Sequence, residues 1–281
     1  MSEVRVVTDS TADLPPEVAQ SLGITVVPLN IHLGSETFRD GVDLTTREFF
    51  RKARTSASPP SLSPPSEAAF YDVYRRLSRE TDEAISIHLS SRLSDTYQVA
   101  SEVAEPFLGQ CRIAVMDSLT TSLALGNLAM ATAQAAKEGA NLDEIVRLVR
   151  GMIPHLYLIF FVETLDYLER GGRIGRAQAF LGTMLGIKPL LIIEEGEIQP
   201  LEKVRTRTAA LDKLFEFVTE LPRIEKLTLV TGVDTAGIEE LLSKIEAAYP
   251  DKEIEVAPYG PGLATFVGPG AMGVFVYEGM E

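Results

Sequence analysis

Apolar positions along the chain form short runs that alternate with amphipathic stretches. The first run, VRVVT, is rich in β-branched residues and predicts a buried strand over 4–8. Pro15 and Pro16 then favour the start of a helix, and Gly23 favours its end. Strand-like runs and helical patterns continue to alternate as far as residue 152. Such alternation is typical of a mostly parallel sheet with helical crossovers, and it places the chain in the α/β class.

Two stretches of the N-terminal half are less regular. The run ITVVPLNIHL predicts one strand over 24–33. The segment over 55–66 contains four of the sixteen prolines and six hydroxyl residues, which indicates a loop or a crossing segment. The other elements predicted in this half are strands at 83–89 and 111–117 and helices at 45–54, 67–80, 92–106, 118–139 and 142–152.

A change of pattern near 153–156 predicts a boundary between two α/β domains, 1–154 and 155–281. The run LYLIFFVE after His155 predicts a strand, and KPLLIIEEGEIQPLEKV predicts a hairpin that turns at Glu195-Gly196. The segment AQAFLGTMLG (177–186) predicts an apolar helix. The other predictions for this mixed sheet with helices are a short helix in TLDYLERGG, helices at 208–220 and 236–248, and strands at 226–231, 253–257 and 274–278.

Composition narrows the class of partner and the cellular location. The 281 residues carry a formal net charge of −14, and this charge repels phosphate backbones, so we expect no nucleic-acid partner. No apolar run reaches the ~18 residues that a membrane-spanning helix needs. The N-terminus MSEVRVVTDS lacks the apolar core of a signal peptide, and the single cysteine, Cys111, excludes an internal disulfide. These features predict a cytoplasmic protein.

Three motifs suggest chemistry, and each has a plainer interpretation. GPGAMG (268–273) has the spacing of a dinucleotide fingerprint, but a predicted strand follows it, so we expect no NAD. Three scattered histidines and one cysteine do not predict a metal site. Ser90 and Ser91 end a predicted strand beside His88 and could be a nucleophile, an anion cradle or a helix cap. Residues two apart on a strand point to the same face, which argues against a serine–histidine pair across a cleft.

A local excess of positive charge lies in the second half of the chain. Residues 170–207 contain seven basic residues against four glutamates. A solvated surface and an anion-handling patch explain this excess equally well. The basic residues are Arg170, Arg173, Arg176, Lys188, Lys203, Arg205 and Arg207.

Five stretches, taken in order, resemble the DegV family, the fatty-acid-binding subunits of bacterial fatty acid kinases. Each stretch is weak by itself, but together they span the whole chain in the family's order. They are VTDSTADLP (7–15), LSSRLSDTYQVA (89–100), DYLERGGRIG (166–175), KPLL (188–191) with KVRTR (203–207), and VGPGAMG (267–273).

The resemblance implies two α/β domains that enclose a long-chain fatty acid in a tunnel between them, with no catalytic residue and no cofactor. We expect the apolar segments LYLIFFV and AQAFLGTMLG to line this tunnel. The resemblance also implies that the protein presents the carboxylate to a separate kinase subunit, which makes an acyl-phosphate for lipid synthesis. The alternatives are a lipid or ester hydrolase that uses Ser91 and a lipid-responsive interaction protein without a kinase.

The resemblance also suggests which residues hold the head group. Ser91 matches the family's head-group serine, and a helix N-terminus there would offer free N–H groups to a carboxylate. Leu62 replaces a family threonine and Phe266 replaces a family histidine, so Ser63, Thr265 or backbone N–H groups are expected to compensate. Two further residues, Arg173 and Arg205, match positions that act in the hand-over to the kinase.

Overall fold

The computed structural model describes residues 3–56, 58–173 and 186–280. The thirteen strands of these residues are β1 (Arg5–Asp9), β2 (Ile24–Val27), β3 (Asn30–Leu33), β4 (Glu36–Arg39), β5 (Ser61–Ser63), β6 (Glu83–His88), β7 (Arg112–Asp117), β8 (Leu156–Phe161), β9 (Lys188–Glu194), β10 (Glu197–Val204), β11 (Lys226–Thr231), β12 (Glu255–Pro258) and β13 (Met272–Tyr277). The ten α-helices of the same residues are α1 (Pro16–Leu22), α2 (Thr46–Ala53), α3 (Glu67–Leu77), α4 (Thr96–Ala104), α5 (Ser122–Lys137), α6 (Leu142–Met152), α7 (Asp166–Arg170), α8 (Arg207–Glu220), α9 (Ile238–Ala248) and α10 (Pro261–Val267). The chain is therefore an α/β protein, as the alternating pattern predicts.

The N-terminal half is built on a parallel sheet of order β2–β1–β6–β7, with helices on both faces. On one face, Val7 and Ala84 pack against α3 and α4. On the other face, Val6 and Ile85 pack with α5 and α6. Coverage of both faces explains why these strands are apolar runs rather than alternating ones. It also leaves the carboxyl edge of the sheet free to face the C-terminal half.

The single strand predicted over 24–33 is wrong, because the structure has two strands there in different sheets. Strand β2 ends at Val27, and β3 begins at Asn30 in an antiparallel sheet of order β4–β3–β5. Pro28 has no N–H to donate to a ladder, and the N–H of Leu29 bonds to the Ser10 hydroxyl at 3.0 Å. The loop predicted over 55–66 is also wrong in part, since β5 lies within it and pairs with β3.

Several helices begin or end inside their predicted limits, and local hydrogen bonds explain where. The helix predicted over 92–106 begins only at Thr96, because the N–H groups of Leu93 and Ser94 bond to the carbonyl of Ser90 in a preceding turn.

Helix α10 was not predicted at all. It has Pro261 in its first turn and ends at Gly268, whose φ is 76°.

The C-terminal half is a mixed sheet of order β10–β9–β8–β13–β11–β12, in which β11 and β12 are the parallel pair. Strand β8 shows how its two faces differ: Ile159 and Phe161 pack with α8 and α9, while Leu158 and Phe160 face the N-terminal half. The predicted hairpin at Glu195-Gly196 is confirmed, joining β9 to β10. The predicted helix over 177–186 falls almost wholly on residues 174–185, which lie outside the described residues.

Several hydrogen bonds join the two halves around a shared apolar core, among them three that involve Asp13, Asp40 and Ser90. The carboxylate of Asp13 accepts the N–H of Gly260 at 2.8 Å, and that of Asp40 accepts the N–H of Gly262 at 2.8 Å. The hydroxyl of Ser90 donates to the Gly196 carbonyl at 2.7 Å. Within the described residues, no helix is both long and apolar enough to cross a membrane.

Candidate binding cavity between the two halves

An apolar cavity lies between the carboxyl edge of the parallel sheet and the inner face of the mixed sheet. The empty space in this region, counted together with adjoining open solvent, is about 680 Å³. Its walls are formed by Thr11, Leu62, Leu89, Leu93, Thr121, Leu158, Phe160, Arg173, Ile193, Ile198, Val230, Tyr259, Gly262, Leu263, Phe266, Val267, Ala271, Met272 and Gly273. The wall is almost wholly apolar, so the cavity suits a hydrocarbon chain.

Sheet geometry explains why these side chains converge. Leu158 and Phe160 lie two apart on β8 and point to the same side, which is the cavity side. They belong to the LYLIFFV segment that was expected to line a tunnel. Ile193 on β9 and Ile198 on β10 extend the same wall on either side of the hairpin turn.

Helix α10 forms another wall, and the carboxylates of Asp13 and Asp40 fix its start. A Cβ on Gly260 would lie 2.6 Å from Oδ1 of Asp13, and a Cβ on Gly262 would collide with Oδ2 of Asp40. Burial raises the pKa of Asp13 to about 7 and that of Asp40 to about 6, although hydrogen bonds to each carboxylate oppose the rise. Both glycines are therefore needed for the close approach that puts Phe266 in the wall.

Leu62, Phe266 and Arg173, three of the predicted site residues, all line this cavity. The guanidinium carbon of Arg173 lies 5.0 Å from the centroid of the Phe266 ring. Its Nε donates to the Leu93 carbonyl at 2.9 Å, and one Nη donates to the Gly171 carbonyl at 2.6 Å. Burial lowers the pKa of Arg173, because partial desolvation disfavours the charged form.

The two adjacent serines take different positions. Ser90 is buried, and its hydroxyl donates to the Gly196 carbonyl. Ser91 is exposed and is not one of the residues that line the cavity. Its backbone N–H donates to both carboxylate oxygens of Asp117 at 3.2 Å. The head-group role of Ser91 therefore stays a prediction.

The remaining predicted residues also lie outside the cavity wall. The Ser63 hydroxyl is 2.8 Å from Nε2 of His32. Thr265 is buried, and its hydroxyl donates to the Gly262 carbonyl at 2.7 Å. Arg205 is exposed beyond the end of β10. Their proposed roles stay predictions, and the two predicted hand-over arginines differ, since Arg173 lines the cavity and Arg205 does not.

A chain of buried polar side chains superficially matches a serine–histidine–aspartate triad. Tyr74 donates to Ser86 at 2.9 Å, Nε2 of His88 lies 2.7 Å from the Ser86 hydroxyl, and Nδ1 of His88 lies 3.0 Å from Oδ2 of Asp9. All four side chains have no exposed surface, and none of them lines the cavity. Because both ring nitrogens of His88 are occupied, this histidine cannot serve as a base for Ser91.

Several cavity residues were not predicted, although the topology gives a signal for them. Leu89 follows strand β6, and Thr11 and Thr121 follow β1 and β7 closely along the chain. Ligands of open α/β sheets bind at the carboxyl ends of the strands, so these positions were candidates once the parallel sheet had been predicted. The residues of α10 gave no comparable signal, because that short helix was not predicted.

Comparison with known proteins places these features in one family. The DegV family model, described as "Uncharacterised protein, DegV family", matches residues 3–279. A DegV domain-containing protein of Caldanaerobacter subterraneus subsp. tengcongensis is 35% identical over 99% of this chain and 100% of its own. Protein DegV of Bacillus subtilis is 32% identical over 96% of this chain and 98% of its own.

Solved structures agree with this match in sequence. A DegV family protein from Thermus thermophilus, described for its fatty acid binding, superposes with a TM-score of 0.91 at 34% identity, covering 98% of this chain and 99% of its own. DegV from Bacillus subtilis, described as a fatty acid binding protein, superposes with a TM-score of 0.89 at 28% identity, covering 99% of this chain and 100% of its own.

Proposed function

The chain belongs to the DegV family, and we propose that it binds one long-chain fatty acid in the cavity between its two halves. The observation that carries this proposal is an almost wholly apolar wall, in which Arg173 is the single charged side chain among the described residues. The description of the Thermus thermophilus relative as fatty-acid-binding supports the same ligand class.

Burial of the acyl chain supplies the affinity. A tail of about fifteen methylenes, at ~0.8 kcal/mol each, gives on the order of 12 kcal/mol if it is fully buried. Loss of ligand freedom and ordering of the wall reduce this figure. The carboxylate cannot enter an apolar space without a partner for its charge.

We propose further that the protein is a non-catalytic carrier in the cytoplasm, which presents the bound acid to a separate fatty acid kinase subunit. The resemblance described above supports this role, and so does the exposed position of Arg205, where a partner's phosphate groups can reach its guanidinium. In this scheme the kinase makes the acyl-phosphate, and the protein described here supplies no cofactor and no nucleophile.

Organic extraction of purified protein tests the ligand. We expect about one long-chain fatty acid per chain, identified by mass spectrometry, and a matching mass increment in native mass spectra. Recovery of only nucleotides or sugars from well-folded protein, or of no ligand together with no binding of added hexadecanoic acid, would contradict the proposal.

A phosphorylation assay with the kinase subunit tests the second part. Arg205→Met is expected to leave fatty acid binding unchanged and to slow acyl-phosphate formation at least tenfold, because the exposed guanidinium contacts the partner and not the ligand. Arg223→Met, which also removes an exposed arginine of this half, is the control. Equal rates of acyl-phosphate formation for the wild type and Arg205→Met would show that Arg205 does not act in the hand-over.

The hydrolase alternative has less support. It needs a base beside Ser91, and both nitrogens of His88 are already occupied. We therefore expect no turnover of p-nitrophenyl esters above the rate of a Ser91→Ala control. Turnover that disappears in the Ser91→Ala variant would restore the alternative.

A further inference from the structure

The hydrogen-bond donors available inside the cavity are few. Among the described residues that line it, Arg173 alone carries a charge, and three others carry hydroxyls. The hydroxyl hydrogen of Thr11 is used on Asp9 at 2.6 Å, and that of Tyr259 is used on the Gly268 carbonyl. A hydroxyl has one hydrogen to donate, so these two groups have none left for a ligand. The donors that remain on lining side chains are the Thr121 hydroxyl and the free N–H groups of Arg173.

Arg173 is held in place without being neutralised. Two of its five N–H groups donate to neutral backbone carbonyls, those of Leu93 and Gly171. Among the described residues, no carboxylate lies within ion-pair distance of its guanidinium, and the attraction of the exposed Asp95 does not offset the cost of desolvation. A half-buried cation without a paired anion is costly, and a bound anion would remove that cost.

Phe266 gives the guanidinium its orientation. The ring lies in the wall on α10, and the guanidinium carbon sits 5.0 Å from its centroid, within the range of a cation–π contact. A planar guanidinium stacks on an aromatic face and still presents its edge to a carboxylate. Leu62, in the same wall, offers no donor that would compete.

From these contacts we propose that Arg173 is the residue that neutralises the ligand's carboxylate in this protein, with Phe266 as the positioning residue for its guanidinium. The inference rests on the proposed fatty acid ligand and names the group that selects it. The cavity then accepts a long-chain acid and discriminates against an alcohol of the same length. Arg173 is thereby a ligand-binding residue, distinct from Arg205 at the surface.

Binding of hexadecanoic acid and hexadecan-1-ol to delipidated protein tests this inference. We expect Arg173→Met to weaken acid binding by roughly a hundredfold, since an anion left unpaired in a buried site loses its main partner. Alcohol binding should change less than about threefold, because no charge is left unpaired. Arg170→Met, which removes an exposed arginine three positions earlier, should leave both affinities unchanged.

Two further variants show whether a loss of binding comes from misfolding or from a merely structural role of Arg173. Arg173→Gln retains donors for the Leu93 and Gly171 carbonyls and removes the charge, so it should show the same loss of acid preference. Phe266→Leu should lower the acid-to-alcohol preference by severalfold while Arg173 remains. An acid-to-alcohol ratio equal to the wild type in Arg173→Gln, or an equal loss of both ligands, would overturn the inference and leave the proposed function intact. A wild type that binds neither ligand would overturn both.

Discussion

Two polar regions of this protein, one fully buried and one half-buried, differ in how fully their hydrogen bonds are satisfied. In the chain Tyr74–Ser86–His88–Asp9, each donor meets an acceptor inside the N-terminal half. At Arg173, a charged group lines an apolar cavity and has no anionic partner among the described residues. The first region has the residue types of a catalytic triad, and the second has no recognisable catalytic motif.

The comparison teaches that residue identity is a weaker guide to function than unsatisfied bonding capacity. A saturated buried network gives rigidity and offers nothing to a ligand. An oriented group with spare donors that faces an apolar cavity can bind a ligand there. Variants in each region should therefore affect different properties: stability in the first, and ligand preference in the second.

The largest effect on stability is expected from Asp9→Ala. Asp9 accepts from the N–H groups of Thr11 and Leu89 and pairs with His88. Removing the carboxylate leaves several buried donors without acceptors, so the free energy of unfolding should fall by on the order of 3–5 kcal/mol. The measurement is the urea midpoint, with Asp251→Asn at an exposed turn as the control. A loss below ~1 kcal/mol would show that the network is not the rigid element we describe.

A smaller but double effect is expected from Gly262→Ala. The added methyl group would collide with Asp40, which holds the start of α10. Overpacking of this kind typically costs ~1–3 kcal/mol. The same shift would move Phe266, so acid binding should weaken as well. Gly151→Ala in helix α6, whose backbone φ is also not positive and whose added Cβ would meet only the flexible Met280 side chain, is the control. If the two variants lose stability and acid binding to the same extent, the contact between Asp40 and α10 does not position the cavity wall.

The two carboxylates that hold α10 should make stability depend on pH. Burial raises the pKa of Asp13 to about 7, so the folded state binds this proton more tightly than the unfolded state. The contribution to stability is therefore full below pH ~4 and is lost as the pH rises towards 7, by at most ~1.4 kcal/mol per pH unit. Asp40 acts in the same direction with a pKa of about 6.

Asp13→Asn isolates this contribution. The amide does not titrate, and its oxygen can still accept the N–H of Gly260. The neighbouring carboxylates of Asp9 and Asp40 and the hydroxyl of Ser122 are unchanged by the substitution. The unfolding free energy of the wild type should thus fall more steeply than that of the variant between pH 4 and 7. Parallel curves would mean that Asp13 is ionised without cost in the folded protein.

The sequence predicts most of this fold, because buried strands and long helices leave recognisable patterns of apolar residues in the sequence. The hairpin at Glu195-Gly196 is an example: two residues with positive φ join the antiparallel strands β9 and β10. The split of 24–33 was not predicted, since both pieces are apolar and only tertiary pairing sends β3 to another sheet. Helix α10 is seven residues long and almost wholly buried, so it has no amphipathic pattern.

The site was predictable to a smaller extent. Leu62, Phe266 and Arg173 were chosen from a resemblance, and the structure places all three in one wall. Their relation was not predictable, because the contact between Arg173 and Phe266 joins segments more than ninety residues apart. The exposure of Ser91 also depends on the turn before α4, in which the chain bends around the Ser90 carbonyl. Short-range patterns do not specify such three-dimensional contacts.

The smallest effect is expected from Ser91→Ala, and it tests the comparison most directly. The resemblance assigns the head group to this serine, whereas the structure leaves its side chain exposed and outside the cavity wall. Its N–H bond to Asp117 does not involve the side chain and survives the substitution. We therefore expect acid binding to weaken less than threefold, with an unchanged acid-to-alcohol ratio and an unchanged urea midpoint.

The adjacent Ser90→Ala is the matched control for this variant. Its hydroxyl is buried and joins the two halves through Gly196, so its loss should lower stability by ~1–2 kcal/mol. A tenfold loss of acid binding in Ser91→Ala that spares the alcohol corresponds to about 1.4 kcal/mol. That result would show that the Ser91 hydroxyl also binds the carboxylate. Arg173 and Ser91 would then bind the head group together.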